Sequence, residues 1–76
     1  MANTANINAV IGNNIRQLRI EQGISLRKFA LMVGVDSAHL SRVERGLVDS
    51  YVLTIGKIAD GLGVDIAYLM TPHPDN

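Results

Sequence analysis

Hydrophobic residues recur along this chain at helical spacing, and glycines interrupt the pattern. Ile7, Ile11, Ile15 and Leu18 are separated by four, four and three residues, which is the spacing of one face of an amphipathic helix. Gly23 follows, and glycine in the left-handed conformation commonly ends a helix. The pattern therefore predicts a first helix that begins near Ile7 and ends before Gly23.

The same punctuation predicts four further helices. Each has a polar residue suited to capping its start, and all but the last have a glycine at the end. The second helix would lie between Ser25 and Gly34, the third between Asp36 and Gly46, the fourth between Ser50 or Tyr51 and Gly63, and the fifth over IAYLM after Asp65. Two glycines inside the fourth helix, Gly56 and Gly61, favour a close approach of another backbone over a locally weak helix.

This arrangement predicts an all-α fold of five short helices in a single domain, since the chain has 76 residues and no pattern typical of strands. We expect a flexible N-terminus over residues 1–6, the domain over residues 7–70, and a disordered tail over residues 71–76, which contains two prolines.

Composition excludes several classes of protein. The chain has no cysteine, so disulfides and thiolate metal sites are absent. The N-terminal segment MANTANINAVIG does not have the pattern of a signal peptide, and no apolar run reaches transmembrane length, so we expect a cytoplasmic protein. Two histidines without ligand-like spacing predict no metal site, and no catalytic motif or cofactor-binding loop is present, so we expect neither an enzyme nor a cofactor.

Charge is unevenly distributed although the net charge is zero. Residues 1–45 contain six basic and three acidic residues, a net charge of +3, whereas residues 46–76 contain one basic and four acidic residues, a net charge of −3. Either this is chance in a small set of charges, or the N-terminal part faces phosphates and the C-terminal part faces away.

The break at Gly34 is so short that the second and third helices must cross sharply, as in a helix-turn-helix. Ala30 leaves room for the crossing, and Val35 and Leu40 would pack back onto the first two helices. Ser37, Ala38, Ser41, Arg42 and Arg45 would then lie away from the core, on a helix suited to the DNA major groove.

These helices and the residues around them resemble a known family. The segment ISLRKFALMVGVDSAHLSRVERG, with IRQLRIEQG before it and IGKIADGLGVDIAYLM after it, is similar to the helix-turn-helix domain of the Xre family, which contains the Cro and cI repressors of lambdoid phages. The resemblance extends from Ile11 to Met70 and implies a five-helix, lambda-repressor-like DNA-binding domain, with helices 2 and 3 as the helix-turn-helix.

The resemblance implies roles for individual residues. The recognition helix would comprise residues 36–45. The base-reading candidates are Ser37, Ala38, Ser41 and Arg42. The candidates for contact with the DNA backbone are Ser25, Arg27, Lys28, Asp36, His39 and Arg45. Arg42 is the strongest base-reading candidate, because an arginine can bind guanine through two hydrogen bonds. A phosphate contact or a solvated side chain is the alternative for Arg42, and a plain surface role is the alternative for Ala38 and His39.

Other matches and departures refine this picture. Arg19 and Glu44 match positions that form an ion pair in the family. Leu26 stands where relatives often have a phosphate-binding glutamine, so that contact is lost. Asp36 would cap its helix well, but its charge repels phosphate unless the carboxylate accepts a hydrogen bond from a cytosine amine. The loop after Gly46 lacks the basic residues of many relatives, so we expect a shallow salt dependence of DNA binding.

Apolar residues late in the chain predict a homodimer, which is also the family's way of binding a near-palindromic operator. The predicted interface comprises Tyr51, Val52, Ile66, Tyr68 and Met70. The alternative is that most of these residues close the core of a single subunit.

These observations favour a bacterial or phage transcriptional regulator that binds double-stranded DNA. Both a restriction–modification controller and a phage repressor fit the length. The alternative is an antitoxin or another protein-interaction module of the same fold, which neutralises a partner protein. We expect no membrane partner.

Overall fold

The computed structural model of the chain describes residues 4–49 and 52–73, without the side chains of residues 4–6, 52 and 53. In these residues the chain forms five α-helices: α1 Thr4–Glu21, α2 Leu26–Val33, α3 Ser37–Glu44, α4 Val52–Leu62 and α5 Ile66–Met70. The all-α architecture predicted from the sequence is confirmed. None of the helices in this part of the chain is both long and apolar enough to cross a membrane.

Helix α1 forms the base on which α3, α4 and α5 pack. Its apolar face buries Ile11 and Ile15 completely or nearly so, and Ile7 and Leu18 pack partly buried against the same core. The helix begins at Thr4, three residues before the predicted start at Ile7. The hydrophobic pattern begins at Ile7, so it could not reveal the turn before that residue.

One hydrophobic core connects all five helices. Phe29, Leu40, Ile58 and Leu69 have no accessible surface, and they come from α2, α3, α4 and α5 in turn. Helix α1 packs against α3, α4 and α5, whereas α2 packs against α3 and α4. The two helices of the predicted helix-turn-helix therefore share one continuous core with the rest of the domain.

The helix ends follow one local rule. Gly23, Gly34, Gly46 and Gly63 all have positive φ, and the residue after each glycine donates its N–H to the carbonyl five residues earlier. A hydrophobic residue in that position usually packs onto the helix it follows. Ile24, Val35 and Val64 do so, whereas Leu47 remains 62% exposed. The glycine stops predicted from sequence are confirmed.

The glycines within helices differ in their surroundings. A Cβ on Gly61 would lie 2.6 Å from Val33 Cγ1 and 3.1 Å from Phe29 Cε1, whereas a Cβ on Gly56 would meet only Ile66 Cδ1 at 3.8 Å. The expected close backbone approach is thus wrong at both positions, because side chains rather than backbone approach Gly61 closely, and little approaches Gly56. Neighbouring helices decide this difference, which local sequence does not encode.

Helix α5 is not held by the side-chain cap that the sequence predicts. Asp65 occupies its N-cap with extended backbone but makes no side-chain capping hydrogen bond, so the prediction that this side chain caps α5 is wrong. The buried amide of Asn14 instead holds the other end of the helix, since its Nδ2 donates to the carbonyls of Leu69 and Thr71, both at 2.9 Å. Helix α5 has only five residues, and a helix this short is stabilised by tertiary contacts rather than by its own caps.

Contacts continue beyond Met70, the predicted end of the domain. Thr71 Oγ1 donates to the Ala67 carbonyl at 2.8 Å. The His73 ring stacks on Tyr68 with ring centroids 3.8 Å apart, and its Nε2 lies 2.9 Å from the Tyr68 carbonyl oxygen. Residues 71–73 of the expected tail therefore pack on α5, while residues 74–76 lie outside the described residues.

Candidate nucleic-acid interface

The turn between α2 and α3 sets the position of the candidate recognition helix. The N–H groups of Gly34 and Val35 both donate to the Ala30 carbonyl, and Gly34 adopts the left-handed conformation with φ of 74°. Only residues 34–36 separate the two helices. Such a tight turn gives α3 a fixed direction relative to α2.

Both helices have side-chain caps at their N-termini. Ser25 Oγ accepts from the Lys28 N–H at 3.1 Å. Asp36 Oδ2 accepts from the N–H groups of Ala38 at 3.1 Å and His39 at 3.2 Å. Each cap stabilises its helix by about 0.5–2 kcal/mol relative to alanine. The two caps predicted from the sequence are confirmed.

A charged pair joins α3 to α1. Arg19 Nε lies 2.7 Å from Glu44 Oε2, and Arg19 Nη2 lies 3.0 Å from Oε1, so the contact is bidentate. The side chains are only 12% and 5% exposed, respectively. Arg19 Nη1 also donates to the Ile24 carbonyl at 2.9 Å. The predicted ion pair is confirmed.

This environment favours the charged form of Arg19. The hydrogen bonds to Glu44 and its negative charge raise the pKa of the guanidinium above the usual value, against the opposing effect of partial burial. Arg19 is therefore committed to holding α1 and α3 together rather than to contacting a ligand.

Gly12 brings α1 directly against the end of α3. A Cβ at Gly12 would lie 2.6 Å from the Glu44 carbonyl oxygen and would also clash with the Val43 carbonyl oxygen. Only a residue without a side chain permits this approach. Sequence reasoning missed Gly12 because the residue lies within a helix and no adjacent turn marks it.

Helix α3 is amphipathic, and its outer face carries the predicted DNA-binding residues. Leu40, Val43 and Glu44 are buried. At about 100° per residue, Ala38, Ser41, Arg42 and Arg45 lie on the opposite side. Of these, Ala38, Arg42 and Arg45 are exposed and Ser41 is half-buried.

The remaining predicted contact residues lie on the flanks and at the N-cap of α3 and at the start of α2. Ser37 and His39 are half-buried on the two flanks of α3, while Ser25, Arg27, Lys28 and Asp36 are exposed. The helix comprises Ser37–Glu44 with Asp36 and Arg45 as its caps, in agreement with the predicted boundaries at residues 36 and 45. Leu26, which replaces the expected glutamine, packs partly buried against the core.

Two arginines on the outer face differ in their freedom. Arg45 Nε makes a long hydrogen bond of 3.3 Å to the Ser41 carbonyl of its own helix. The Arg42 side chain is exposed and its guanidinium has no hydrogen bond or ion pair with any described residue. Its planar guanidinium is thus available for an external partner with two acceptors.

Only some of the residues predicted for a dimer interface are seen exposed in the described part of the chain. Tyr68 and Met70 are 39% and 48% exposed on α5, whereas Ile66 packs partly buried against the core. The Val52 side chain and all of Tyr51 lie outside the described residues. Two further hydrophobic residues that the sequence did not single out, Leu31 and Met32, are 79% and 53% exposed on α2.

The fold and this outer face define the class of protein: a helix-turn-helix domain with an exposed, arginine-bearing second helix. Comparison with known proteins then shows the family. A model of the family HTH_3, described as helix-turn-helix, matches residues 15–69, and the chain belongs to this family.

Curated relatives give the same assignment. The chain is 33% identical over 63 residues to an uncharacterised HTH-type transcriptional regulator, y4dJ, of Sinorhizobium fredii, covering 83% of this chain and 82% of that protein. It is 34% identical over 67 residues to the HTH-type transcriptional regulator SutR of Escherichia coli, covering 88% of this chain but only 38% of the relative.

Solved structures share the architecture. The hypothetical transcription factor NHTF from Neisseria matches with a TM-score of 0.84 and 30% identity over 95% of this chain and 83% of that one. The restriction–modification controller C.AhdI of Aeromonas hydrophila matches with a TM-score of 0.78 and 29% identity, over 82% of this chain and 94% of that one. The biofilm regulator SinR, solved in complex with DNA, matches with a TM-score of 0.77 and 34% identity, over 80% of this chain and 98% of that one.

This chain is therefore a transcriptional regulator with a helix-turn-helix DNA-binding domain, in the Xre and Cro-like group, and its family is not one of enzymes. Among the described residues, no group of histidine, aspartate or glutamate side chains is arranged to hold a metal ion.

Proposed function

We propose that the chain binds a near-palindromic operator in double-stranded DNA as a homodimer, with α3 of each subunit in the major groove, and regulates transcription by occupying that site. The observation that carries the proposal is the outer face of α3. There the guanidinium of Arg42 is exposed and without a partner among the described residues, on a helix fixed by the Arg19–Glu44 pair.

Rigid placement of α3 supports a role in specificity. A side chain can discriminate between bases only if its backbone is held in one register on the duplex. The bidentate ion pair, the close approach of Gly12 and the buried Leu40 and Val43 hold α3 in this way.

Roles for the individual residues follow from where they lie. Arg42, Ala38 and Ser41 on the outer face, with Ser37 on the flank, contact base edges. Arg42 binds guanine O6 and N7, and Ala38 contacts a thymine methyl group. Ser25, Arg27, Lys28, His39 and Arg45 contact phosphates around this face and set the register.

The charge distribution supports the orientation. Arg27, Lys28, Arg42 and Arg45 are all exposed on α2 and α3. Asp60 and Asp65, in contrast, line a shallow depression with Tyr68 where α4 meets α5. Phosphate attraction therefore favours docking through α2 and α3, with the acidic end of the domain turned away. Occupation of genomic DNA places the protein in the cytoplasm in this proposal.

A homodimer explains the apolar surface on α5. Tyr68 and Met70 each expose hydrophobic surface on this helix, and we propose that they form the subunit contact together with Tyr51, Val52 and the exposed part of Ile66. A two-fold dimer places its two recognition helices about 34–36 Å apart, one turn of DNA.

Selection of bound sequences from a random duplex pool tests operator binding. We expect the wild type to enrich a two-fold symmetric motif, and Arg42→Ala to lose the base preference at one position in each half. Lys57→Ala is the matched control, because it removes one exposed positive charge from α4 and should leave the motif unchanged. No enrichment by the wild type would refute the proposal and favour a protein partner instead.

Sedimentation equilibrium tests the dimer. We expect a dimer at tens of micromolar for the wild type and a monomer for Met70→Glu. The control is Leu31→Glu, which adds the same charge at a residue 79% exposed on α2, and this variant should remain dimeric. A monomeric wild type would contradict the proposed interface.

Salt dependence measures the phosphate contacts. Three candidate cations per subunit, Arg27, Lys28 and Arg45, allow a dimer to neutralise about six phosphates. The slope of log K against log salt should then be no steeper than about −5. A steeper slope would mean that further basic residues, such as Arg42, also contact phosphates.

A further inference from the structure

Asp36 uses only one of its two carboxylate oxygens to cap α3. Oδ2 accepts both capping hydrogen bonds, from the N–H groups of Ala38 and His39. Oδ1 accepts no hydrogen bond from a described residue, and Asp36 forms no ion pair among them. Because Asp36 is exposed, one carboxylate oxygen remains available at the start of the recognition helix.

Capping explains Oδ2 but does not require the second oxygen. Serine and asparagine cap helices about as well as aspartate, and the helix dipole adds only about 0.3–1 kcal/mol for a charged cap. Against this, a free carboxylate near DNA phosphates is repelled. A contact with the DNA backbone is thus the least favourable role for Asp36 in a complex with DNA.

Base edges in the major groove offer the carboxylate a donor. Cytosine presents the N4 amine, whereas guanine and thymine present only acceptors there. Adenine has the N6 amine, but its neighbouring N7 acceptor repels a carboxylate. Cytosine is therefore the base that a lone carboxylate oxygen favours.

Resting on the proposed operator binding, we infer that Asp36 is a specificity-determining residue whose free Oδ1 accepts a hydrogen bond from cytosine N4 and selects a C·G pair in each half-site. The two capping bonds fix the side chain before DNA binds, so little rotamer freedom is lost on forming the contact. This replaces the sequence-based expectation that Asp36 contacts the backbone.

Two substitutions separate the capping role from base selection. In Asp36→Asn the side-chain oxygen keeps the cap, while the free atom becomes an N–H₂ donor instead of an acceptor. In Asp36→Ser the hydroxyl keeps the cap, and the second polar atom is removed. Both variants should fold as the wild type does, which thermal unfolding followed by circular dichroism verifies.

The experiment is sequence selection from a random duplex pool with the wild type, Asp36→Asn and Asp36→Ser, followed by affinity measurements on single-base variants of the selected site. We expect the wild type to enrich cytosine at one symmetric position, and replacement of that base to weaken binding by about 5- to 150-fold. Asp36→Asn should prefer a base with acceptors at that position, and Asp36→Ser should show no preference there.

The outcomes distinguish this inference from the proposed function. If the wild type selects a motif and both Asp36 variants select the same motif, the inference is overturned and operator binding stands. If the wild type selects no motif, both are overturned. If the variants change the preference at one symmetric position, and Arg42→Ala changes a different one, the role of Asp36 is established.

Discussion

Alanine substitution at three helical glycines should have three different effects on the stability of this domain. At Gly12, the new Cβ would lie 2.6 Å from the Glu44 carbonyl oxygen and 2.8 Å from its carbon. Since ordinary contacts begin near 3.4 Å, α1 and α3 must separate by roughly 1 Å. Overpacking of this kind typically costs about 1–3 kcal/mol, and backbone atoms cannot move aside as a flexible side chain can.

Helix propensity opposes this cost but does not cancel it. Alanine is favoured over glycine inside a helix by about 0.8–1 kcal/mol. At Gly56 this gain should appear almost undiminished, because the nearest atom is Ile66 Cδ1 at 3.8 Å. At Gly12 the clashing atoms belong to the backbone, so the steric cost should lie in the upper part of its range, about 2–3 kcal/mol, which leaves a net loss of about 1–2 kcal/mol. The Gly61→Ala variant should be less stable than the wild type, because Val33 and Phe29 are buried and have little room to shift.

Urea unfolding of the wild type and the three variants measures these differences. With unchanged m, the midpoint should rise for Gly56→Ala and fall for Gly61→Ala and Gly12→Ala. The melting temperature of a domain of this size shifts by about 4–8 °C per kcal/mol. A Gly12→Ala variant as stable as the wild type would refute the reasoning, because it would mean that α1 does not touch the α3 backbone.

Three further predictions concern single residues. Arg19→Met should destabilise the domain by about 3–5 kcal/mol in urea unfolding, because it leaves the buried Glu44 carboxylate unpaired; a loss below about 1 kcal/mol would show that the pair is not buried in solution. Asn14→Ala should lower the free energy of unfolding by about 2–3 kcal/mol, since two carbonyls lose a donor, and an unchanged melting temperature would contradict the role of its amide at α5. Gly34→Ala should cost about 1–2 kcal/mol because of its left-handed backbone, whereas Gly34→Asn should cost less, and equal melting temperatures for the two variants would argue against a conformational cause.

Helix stops and starts were predictable because their causes are local. Each glycine stop depends on a positive φ and a hydrogen bond that reaches back five residues. The caps at Ser25 and Asp36 depend on N–H groups two or three residues ahead. The failure at Asp65 has a complementary reason, since α5 is held mainly by Leu69 in the core and by Asn14 from α1.

Part of the candidate site was also predictable. The periodicity of α3 places Leu40 and Val43 inward and Ala38 and Arg42 outward, as the structure has them. The Arg19–Glu44 pair is separated by 25 residues, so it followed from the resemblance to a family and not from spacing. The free oxygen of Asp36 required the structure, because the sequence does not tell which carboxylate oxygen accepts the capping bonds.

The sequence by itself determined the number of helices, the stops between them and the outward face of α3, because these depend on residues within one or two helical turns. Only the tertiary structure decided which glycine is indispensable. The local sequence does not distinguish Gly12, Gly56 and Gly61, all of which lie inside helices. A Cβ at Gly12 would contact backbone atoms, a Cβ at Gly56 would contact almost nothing, and a Cβ at Gly61 would contact buried side chains. Likewise, Asn14 finds its acceptors 55 and 57 residues away. Close approach and buried polar contacts depend on how helices cross, which is a property of the whole packed domain.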